Sequence, residues 1–570
     1  MKSSQRLKAA LPRMPPDTIY VNARVWTEDP SQPETAAVAV AGSMIVATVS
    51  DAAIRALAVP ATHVVDLAGR RVLPGFIDAH VHMYIGGDSL ASVNLREVQN
   101  TAELREAIAA YARLRPAGEW IRNGNWDHQN WTPSDLPSAA LIDEVTPDHP
   151  VFVQRTDGHM ALANSLAMRL AGITKETAAV PGGLIVRDRE GNPTGIFKDA
   201  AKALIERFIP DPSEDYIALS LSAAQQYAAE NGVTSVQDMG MFGNRAAERM
   251  LPILRVYQRL DAAGELAIRI SAHLPLPEWQ RLGNAGIEAG FGSDKLKIGY
   301  VKSFSDGSLG SSTAWFCTPY TDLPETAGQP SEELVEQQVM FDNMVAADRA
   351  GLQIAVHAIG DRANKKVLDL MSDLQVKNGV KDRRLRIEHA QHLQVADLPR
   401  FAAVDVVASM QPYHAIDDGR WAERRIGPER SALAFAFRSL LDAGAKLAFG
   451  SDWWVAPISP ILGIDAAVNR RLLGSGEVWQ PHQRISVIEA VHAYTMGSAY
   501  AGREEHEKGS IEAGKLADFV VLSRDIFAIN PAEIPSIQVD LTVCGGRIIY
   551  NRLDDKTLEP QMHSEEKACL

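Results

Sequence analysis

Side chains of the types found at metal centres follow strand-like runs at several separate places in this chain. The side chains are His80, His82, Lys302, His357, His389 and Asp452. The runs that precede them are Val72–Ile77, Lys297–Val301, Leu352–Val356, Leu385–Glu388 and Lys446–Gly450. In a (β/α)8 barrel the carboxyl ends of all the strands surround one mouth, and the chemistry takes place there. The order therefore predicts a barrel whose mouth gathers these side chains around a divalent metal.

Strand-like runs alternate with helical patterns between residues 74 and 504, which is typical of a parallel α/β barrel. The predicted strands end near His80, Asp238, Ala272, Lys302, His357, His389, Met410 and Ser451. The interval between the first two strands is too long for a single crossover connection. Residues 95–204 are therefore predicted to be an insertion that folds over the barrel mouth, where barrel enzymes place their substrate specificity.

Short strands separated by glycine-containing turns are predicted at both ends of the chain, in residues 17–73 and 505–553. Neither segment is long enough to bury both faces of a sheet by itself. We therefore expect the two segments to combine into one small β-sandwich beside the barrel. Residues 554–570 are polar and are predicted to form a mobile tail.

The composition excludes several classes of partner. The chain has 570 residues, 46% of them hydrophobic, and a formal net charge of -14. That charge disfavours nucleic acid and anionic membranes as partners, and no stretch is long and apolar enough to span a bilayer. The cysteines Cys317, Cys544 and Cys569 lack a metal-binding spacing. We expect no disulfide framework and a cytoplasmic location.

The histidines suit a transition metal. His80 and His82 are two residues apart, so both side chains point to the same face of a strand. His357 and His389 take corresponding positions on consecutive predicted strands. Taken singly, a histidine in such a position is more often a hydrogen-bonded core residue. Together they predict a site for one or two divalent ions, with Zn²⁺ the favoured metal.

Lys302 and Asp452 extend this set. A lysine on the inner face of a barrel strand must pair with an acid, shift its pKa or be modified. One alternative is a salt bridge with Asp306, and another is carboxylation of the amine by carbon dioxide, which gives a carbamate able to bridge two metals. Asp452 can bind a metal and also accept a proton from water as a general base. Its alternative role is a cap for the following helix.

Further candidates are expected around the barrel mouth. Polar groups that could stabilise an oxyanion are His159, Arg155 and His414, and a structural hydrogen-bonding role explains each of them equally well. Aromatic groups that could bind an apolar substituent of the substrate are Trp126, Trp315 and Trp453. Tryptophans that only pack the insertion against the barrel are the alternative.

Several longer motifs resemble those of the amidohydrolase superfamily. They are Leu73-Pro74-Gly75-Phe76-Ile77-Asp78-Ala79-His80-Val81-His82, Arg155-Thr156-Asp157-Gly158-His159, Lys302-Ser303-Phe304-Ser305-Asp306-Gly307, His357-Ala358-Ile359-Gly360-Asp361 and Gly509-Ser510-Ile511-Glu512-Ala513-Gly514-Lys515-Leu516-Ala517-Asp518. Within the superfamily the chain is most similar to the YtcJ-like, amidohydrolase-3 group, which includes N-substituted formamide deformylase. One departure is Ser312, which stands where we expect arginine in the Gly-Ser-Arg-Thr-Ala segment of that group.

The resemblance implies a metal-dependent hydrolase that acts on a small-molecule amide. The metal ligands that it implies are His80, His82, His357 and His389, with Lys302 as a carbamate. Asp452 is then both a ligand and the base that takes a proton from water as hydroxide attacks a carbonyl carbon. It afterwards protonates the leaving nitrogen. An N-substituted formamide is the favoured substrate, and a homodimer is expected from the same resemblance.

Two other kinds of function are open at this point. The same chemistry serves a cyclic amide, a carbamate or the substrate of a deaminase. A non-catalytic relative that keeps the fold for regulation is a different class of protein, and lost ligands would be its mark. Here every candidate ligand position carries a side chain able to do the chemistry.

Overall fold

The centre of the protein is a barrel of parallel strands, seen in a computed structural model that describes residues 15–242 and 245–553. We number the barrel strands β1 to β8 in chain order. Their bounds are Phe76–Val81, Val233–Asp238, Arg269–Pro275, Leu296–Phe304, Gln353–Ala358, Leu385–His389, Val406–Met410 and Lys446–Phe449. The predicted strand ends agree closely with these bounds, and the largest difference is at β3, which ends at Pro275 rather than Ala272. The predicted barrel is confirmed.

Neighbouring barrel strands pair in sequence order, from β1 to β8. The barrel is closed by hydrogen bonds between its two ends: the Asp452 amide donates to the His80 carbonyl at 2.7 Å, and the His82 amide donates to the Trp453 carbonyl at 2.8 Å. This approach needs a glycine at position 450, because a Cβ there would lie 2.4 Å from the His80 nitrogen. The first and last strands are therefore in register at the point where both carry candidate ligands.

Helices surround the barrel and bury one face each against it. They are Met83–Leu90, Glu214–Glu230, Ala246–Ala262, Trp279–Gly283, Glu332–Val335, Gln337–Arg349, Asp361–Asn378, Leu398–Ala403, Pro412–Asp418, Ala422–Ser431 (interrupted at Gly427), Phe437–Asp442, Pro460–Asn469, Val487–Tyr494 and Met496–Ala501. Short 3₁₀ helices are His128–Asn130, Ala200–Lys202, Leu276–Glu278, Val395–Asp397, Pro481–Gln483 and Pro531–Ser536. The two-residue strand Phe291–Gly292 pairs with β4.

Two further sheets pack on each other beside the barrel. One contains Met44–Val49, Ala37–Ala41, Thr18–Val21 and His63–Asp66, in that order, next to the helix Asp51–Arg55. The other combines both ends of the chain, in the order Arg547–Asn551, Val539–Cys544, Phe519–Leu522, Arg71–Pro74, Arg24–Trp26 and Glu34–Thr35. Apolar side chains from both sheets, including Tyr20, Val38 and Phe519, form one buried cluster. The exact boundaries at 17–73 and 505–553 stay a prediction, and the predicted tail 554–570 lies outside the described residues.

The segment 95–204 carries a sheet of its own. The strand order is Gly183–Arg187, Pro193–Asp199, Met160–Ala163, Val151–Arg155 and Ile121–Trp126. Its helices are Thr101–Ala112, Ala139–Asp143, Ser165–Leu170 and Ala203–Glu206. Buried apolar side chains on both faces of this sheet give the segment its own core. The turn between Arg155 and Met160 reaches the barrel mouth, where His159 lies beside His357.

No helix of the described residues is both long and apolar enough to cross a membrane. The expected homodimer stays a prediction.

A buried ion pair joins the barrel to the sandwich. The Arg269 guanidinium on β3 donates to both carboxylate oxygens of Asp518, at 2.6 and 2.9 Å. Both side chains are almost fully buried. Such a pair is destabilising to break, because one charge is then left buried without its partner.

Replacing Arg269 by methionine is expected to lower the free energy of unfolding by about 3–5 kcal/mol, because the Asp518 carboxylate stays buried without its cation. Urea unfolding followed by tryptophan fluorescence measures this. The double variant Arg269→Met with Asp518→Leu should recover part of the loss, since no charge is then buried. As a control, Arg105→Met removes an exposed pair with Glu144 and should change the free energy by less than about 0.5 kcal/mol.

The same variants have a distinct pH dependence. Burial alone would raise the pKa of Asp518, but the charge and hydrogen bonds of Arg269 outweigh it and lower the pKa below its ordinary value of 3.8. The stabilisation is therefore present above that ordinary value and is lost as the pH falls through the folded-state pKa. Wild type should lose stability more steeply than the double variant in this acidic range, and parallel curves would contradict the assignment.

Candidate metal centre

The four predicted histidine ligands meet at the barrel mouth. His80 lies near the end of β1 and His82 directly follows that strand. His357 lies near the end of β5, and His389 ends β6. The ring centroids of His80 and His389 are 5.0 Å apart, those of His357 and His389 4.5 Å, and those of His80 and His82 5.6 Å. All four side chains are buried. Residues more than 300 positions apart in the chain therefore form one cluster.

Asp452 lies directly over this cluster. Its Oδ1 is 3.5 Å from His80 Nε2 and 3.4 Å from His82 Nε2. One ligand atom each from His80, His389 and Asp452 lies within 4.8 Å of the others, a spacing that one metal ion can bridge. The described residues thus contain a group able to hold a metal ion at the predicted place.

Hydrogen bonds from the far ring nitrogens hold the first two histidines in place. His80 Nδ1 lies 2.7 Å from Glu388 Oε2, and His82 Nδ1 lies 2.7 Å from the Gly240 carbonyl oxygen. Glu388 is itself 2.8 Å from the Arg386 guanidinium. Because these contacts occupy Nδ1, they leave Nε2 of each ring as the nitrogen that faces Asp452. Partners of this kind fix the tautomer and the orientation of metal-binding histidines.

The backbone is strained where the cluster is formed. His389, Ala390 and Asp452 have φ angles of 72°, 44° and 57°, in the left-handed region that residues with side chains avoid. Such strain persists only where the surrounding structure enforces it, and it is concentrated at functional sites. Here it turns His389 and Asp452 toward the centre of the mouth.

The histidines are neutral near physiological pH. Burial is the main reason that the pKa values of His80, His357 and His389 lie well below their usual range, and nearby positive groups lower them further. Burial and the Lys302 charge lower the pKa of His82 to about 3. A neutral imidazole is the form that binds a metal.

Lys302 is buried in the same place without an acidic partner. Its side chain is 3% exposed, and its Nζ has no hydrogen-bond partner among the described residues. Asp306, the expected partner, instead accepts hydrogen bonds from the amides of Trp315, Ile359 and Gly360 at 2.8 to 3.0 Å. The salt-bridge interpretation of Lys302 is therefore wrong. Burial lowers the pKa of Lys302 to about 8 and raises the pKa of Asp452 to about 8.

These residues fit a divalent transition metal. Neutral imidazoles and a carboxylate are the ligands that zinc and its neighbours prefer. His389 Nδ1 and Lys302 Nζ are buried without a hydrogen-bond partner in the described structure, and an unsatisfied buried polar atom is costly. Coordination, or modification of the amine, would satisfy both atoms.

The insertion contributes His159 to the same mouth. Its ring centroid is 5.4 Å from that of His357, and its Nδ1 lies 2.7 Å from Asp199 Oδ1. Burial alone would lower the pKa of His159, but the hydrogen bond and charge of Asp199 raise it overall. This histidine therefore carries a proton more readily than the four in the cluster.

Arg155 is engaged by two acids. Its guanidinium donates to Asp127 at 2.5 Å and to Asp157 at 2.6 Å. Burial alone would lower the pKa of Arg155, but these carboxylates raise it further above its usual range. The group is thus a fixed positive charge that lines the same cavity as His414.

The cavity over the cluster has a volume of about 70 Å³ and does not reach the predicted tryptophans. Trp126 is fully buried in the core of the insertion, where its Nε1 donates to the Val153 carbonyl. Trp315 stacks under Arg362 outside the cavity wall. Trp453 packs against Gly86, at which a Cβ would lie 2.4 Å from its ring. None of the three lines this cavity, and their prediction as substrate-binding residues stays a prediction.

Phe242 and Glu388 were missed. Trp454 and Phe242 line the cavity and lie 5.3 and 5.5 Å from the His82 ring. The Trp453-Trp454 pair was visible in the sequence, but its orientation depends on the turn after β8. Glu388 precedes His389 on β6, and alternation along a strand would point it away from the metal. It instead reaches His80 on β1.

Glutamine at position 388 is expected to weaken metal affinity by about 10- to 100-fold, because His80 loses a charged hydrogen-bond acceptor. Competition with a chelator, using Zn²⁺ as the probe, measures the affinity. Glu504→Gln is the matched control, since Glu504 is also buried and ion-paired, but with Lys508 away from the mouth. Equal losses in both variants would show that Glu388 acts through general stability alone.

Comparison with known proteins agrees with this geometry. The sequence pattern described as "Amidohydrolase family" matches residues 63–550. Protein LONG AFTER FAR-RED 3 of Arabidopsis thaliana is 38% identical over 94% of this chain and 91% of its own length. The protein YtcJ of Bacillus subtilis is 31% identical over 86% of this chain and 91% of its own length. N-substituted formamide deformylase of Arthrobacter pascens is 29% identical over 94% and 98%.

Comparison with solved structures also finds metal-dependent hydrolases. An uncharacterized metal-dependent hydrolase from Pyrococcus horikoshii OT3 superposes with a TM-score of 0.73 at 26% identity, covering 90% of this chain and 99% of that one. The family match extends over most of the sequence, and the predicted resemblance to the YtcJ-like group is confirmed. The chain therefore belongs to the amidohydrolase family and is a hydrolase with metal-dependent structural neighbours.

Proposed function

We propose that the protein uses Zn²⁺ to hydrolyse the carbon–nitrogen bond of a small N-substituted amide of the formamide type. The observation that carries this proposal is the group of His80, His389 and Asp452, whose ligand atoms lie within 4.8 Å of one another beside a cavity of about 70 Å³.

The ligands in this proposal are the cluster side chains together with Lys302. They are His80, His82, His357, His389 and Asp452, with Lys302 as a carbamate. Zinc supplies Lewis acidity, which polarises a carbonyl group and lowers the pKa of water to about 7. The protein's own groups then carry the protons and hold the substrate.

Asp452 is the proton carrier. Burial raises its pKa to about 8, and a cation bound beside it would favour the ionised form. The carboxylate faces the cavity beside His80 and His82, so it can then accept a proton from the attacking water as the carbon–oxygen bond forms. It then delivers that proton to the amide nitrogen as the carbon–nitrogen bond breaks. The nitrogen leaves as a neutral amine and the acyl group as a carboxylic acid, so that atoms and charge balance.

His159 is the better candidate for the group that donates to the carbonyl oxygen. Its raised pKa favours the protonated form, and it lines the cavity beside His357. Arg155 also lines this cavity, but Asp127 and Asp157 already occupy two of its nitrogens. Arg155 would therefore act mainly through its charge.

The small cavity supports a formyl-sized acyl group. At about 70 Å³ this space is well below the roughly 300–1,000 Å³ that is usual for small-molecule sites, so it suits a small acyl group. A relative 29% identical to this chain is named N-substituted formamide deformylase. Both observations favour a formamide over an amide with a long acyl chain.

The Lys302 amine is proposed to be carboxylated. Its Nζ attacks the carbon of carbon dioxide, a carbon–nitrogen bond forms, and one proton is released to give an anionic carbamate. This would replace an unpartnered buried amine by an anionic oxygen donor able to bind a divalent metal. Protein prepared in ¹³C-bicarbonate should show a carbamate carbon signal by NMR. The signal should be lost in Lys302→Met, and its absence from metal-loaded wild type would overturn the assignment.

Asparagine at position 452 is expected to reduce hydrolysis by about 10²- to 10⁴-fold, because an amide side chain cannot accept the proton. The measurement is release of formate from a panel of N-substituted formamides by zinc-loaded protein, with metal content determined in parallel. Asp465→Asn on the helix Pro460–Asn469 is the matched control, since Asp465 bonds to Asn469 and should leave the rate unchanged.

Metal-loaded wild type that releases formate from none of these compounds would contradict the formamide proposal. Turnover of cyclic amides or carbamates instead of formamides would support a hydrolase with a different substrate. Protein that cannot be loaded with metal would favour the regulatory alternative.

A further inference from the structure

A second cavity of about 330 Å³ adjoins the one over the metal cluster. The side chains that line both are His159, Phe242, Lys302 and Phe304. Because these side chains border both cavities, the larger space lies next to the metal cluster. A volume of this size is within the range of about 300–1,000 Å³ that is usual for small-molecule sites.

The boundary between the cavities is aromatic. Phe242 stacks on Trp454 with centroids 5.6 Å apart, and it lies 6.4 Å from Phe304. Phe304 is 5.1 Å from the ring of His357. A planar or apolar group placed here meets ring faces and edges, which favours aromatic contacts.

Two glutamates line the larger cavity. Glu332 and Glu333 begin the helix Glu332–Val335, and both line the cavity. Ser303 donates to Glu333 at 2.5 Å, whereas Glu332 is exposed and forms no ion pair with a described residue. Lys202, which also lines the cavity, is engaged by the Gly158 carbonyl at 2.5 Å and lies 3.6 Å from Glu206. A negative group beside Glu332 would therefore lie next to a carboxylate that no described cation pairs.

We propose that this larger cavity binds the nitrogen substituent of the substrate and selects one that is aromatic or branched, and that is neutral or cationic where it approaches Glu332. This inference rests on the proposed amide hydrolysis, since it assigns the two halves of an amide to the two cavities. The acyl group lies in the small cavity and the leaving amine in the large one.

Ala247 allows a direct test, because it lines the larger cavity and is only partly buried near the start of the helix Ala246–Ala262. Ala247→Phe places a large side chain in the cavity. We expect kcat/KM for N-benzylformamide to fall at least about tenfold, while that for N-methylformamide stays within about twofold. Ala247→Leu should give an intermediate loss.

Ala262→Phe is the matched control, at the exposed end of the same helix. It should leave both substrates unchanged. Unaltered metal content and N-methylformamide turnover show that Ala247→Phe is folded. Unchanged turnover of N-benzylformamide by Ala247→Phe, or an equal loss for both substrates, would overturn the proposal.

Binding of benzylamine alone separates this inference from the proposed function. Calorimetry with metal-loaded wild type should detect the amine, and Ala247→Phe should weaken binding at least about tenfold whether or not formamides are hydrolysed. Binding that resists Ala247→Phe contradicts the cavity assignment. Benzylamine binding without any formamide hydrolysis would support the cavity assignment and contradict the proposed hydrolysis.

Selection against a negative charge near Glu332 is tested with N-(4-carboxybenzyl)formamide. Its KM should exceed that of N-benzylformamide by at least about fivefold, and Glu332→Gln should reduce this difference. Equal KM values for the two compounds in wild type would contradict the predicted charge selection. The binding of the same two compounds can be compared by calorimetry on Asp452→Asn, which leaves the lining residues of the larger cavity unchanged.

Discussion

The two hydrogen bonds that join β8 to β1 are the interaction on which the site depends. They link the amide of Asp452 to the carbonyl of His80, and the amide of His82 to the carbonyl of Trp453. The same residues carry the candidate base and two candidate ligands. The geometry of the metal cluster is therefore set by backbone register, and Gly450 permits the close approach that this register requires.

Much of this arrangement could be predicted from the sequence, because buried parallel strands are apolar and end in residues of distinctive chemistry. His357 and His389 followed such strands, and the structure places both in the cluster. Features that depend on turns or on contacts across the barrel could not be predicted. The turn after β8 presents Trp454 rather than Trp453 to the cavity, and Glu388 reaches His80 across the mouth.

The insertion contributes side chains to the mouth that holds the candidate metal cluster. Its sheet brings His159 and Arg155 to the mouth, and the pairs His159–Asp199 and Arg155–Asp127 hold both in place. The segment has its own apolar core, so its sequence can change without disturbing the barrel strands. Relatives with the same metal ligands can therefore differ in substrate through this segment and through the aromatic residues beside it.

The closure of β8 on β1 also determines when the centre can form during synthesis. His80 and His82 emerge from the ribosome early, but Asp452 and the strand that positions it follow some 370 residues later. The sandwich that packs on the barrel needs strands from both chain ends. A nascent chain thus exposes His80 and His82, which can bind a metal, long before the residues that complete the cluster have been synthesised. Stable loading of the correct ion must wait for the end of translation.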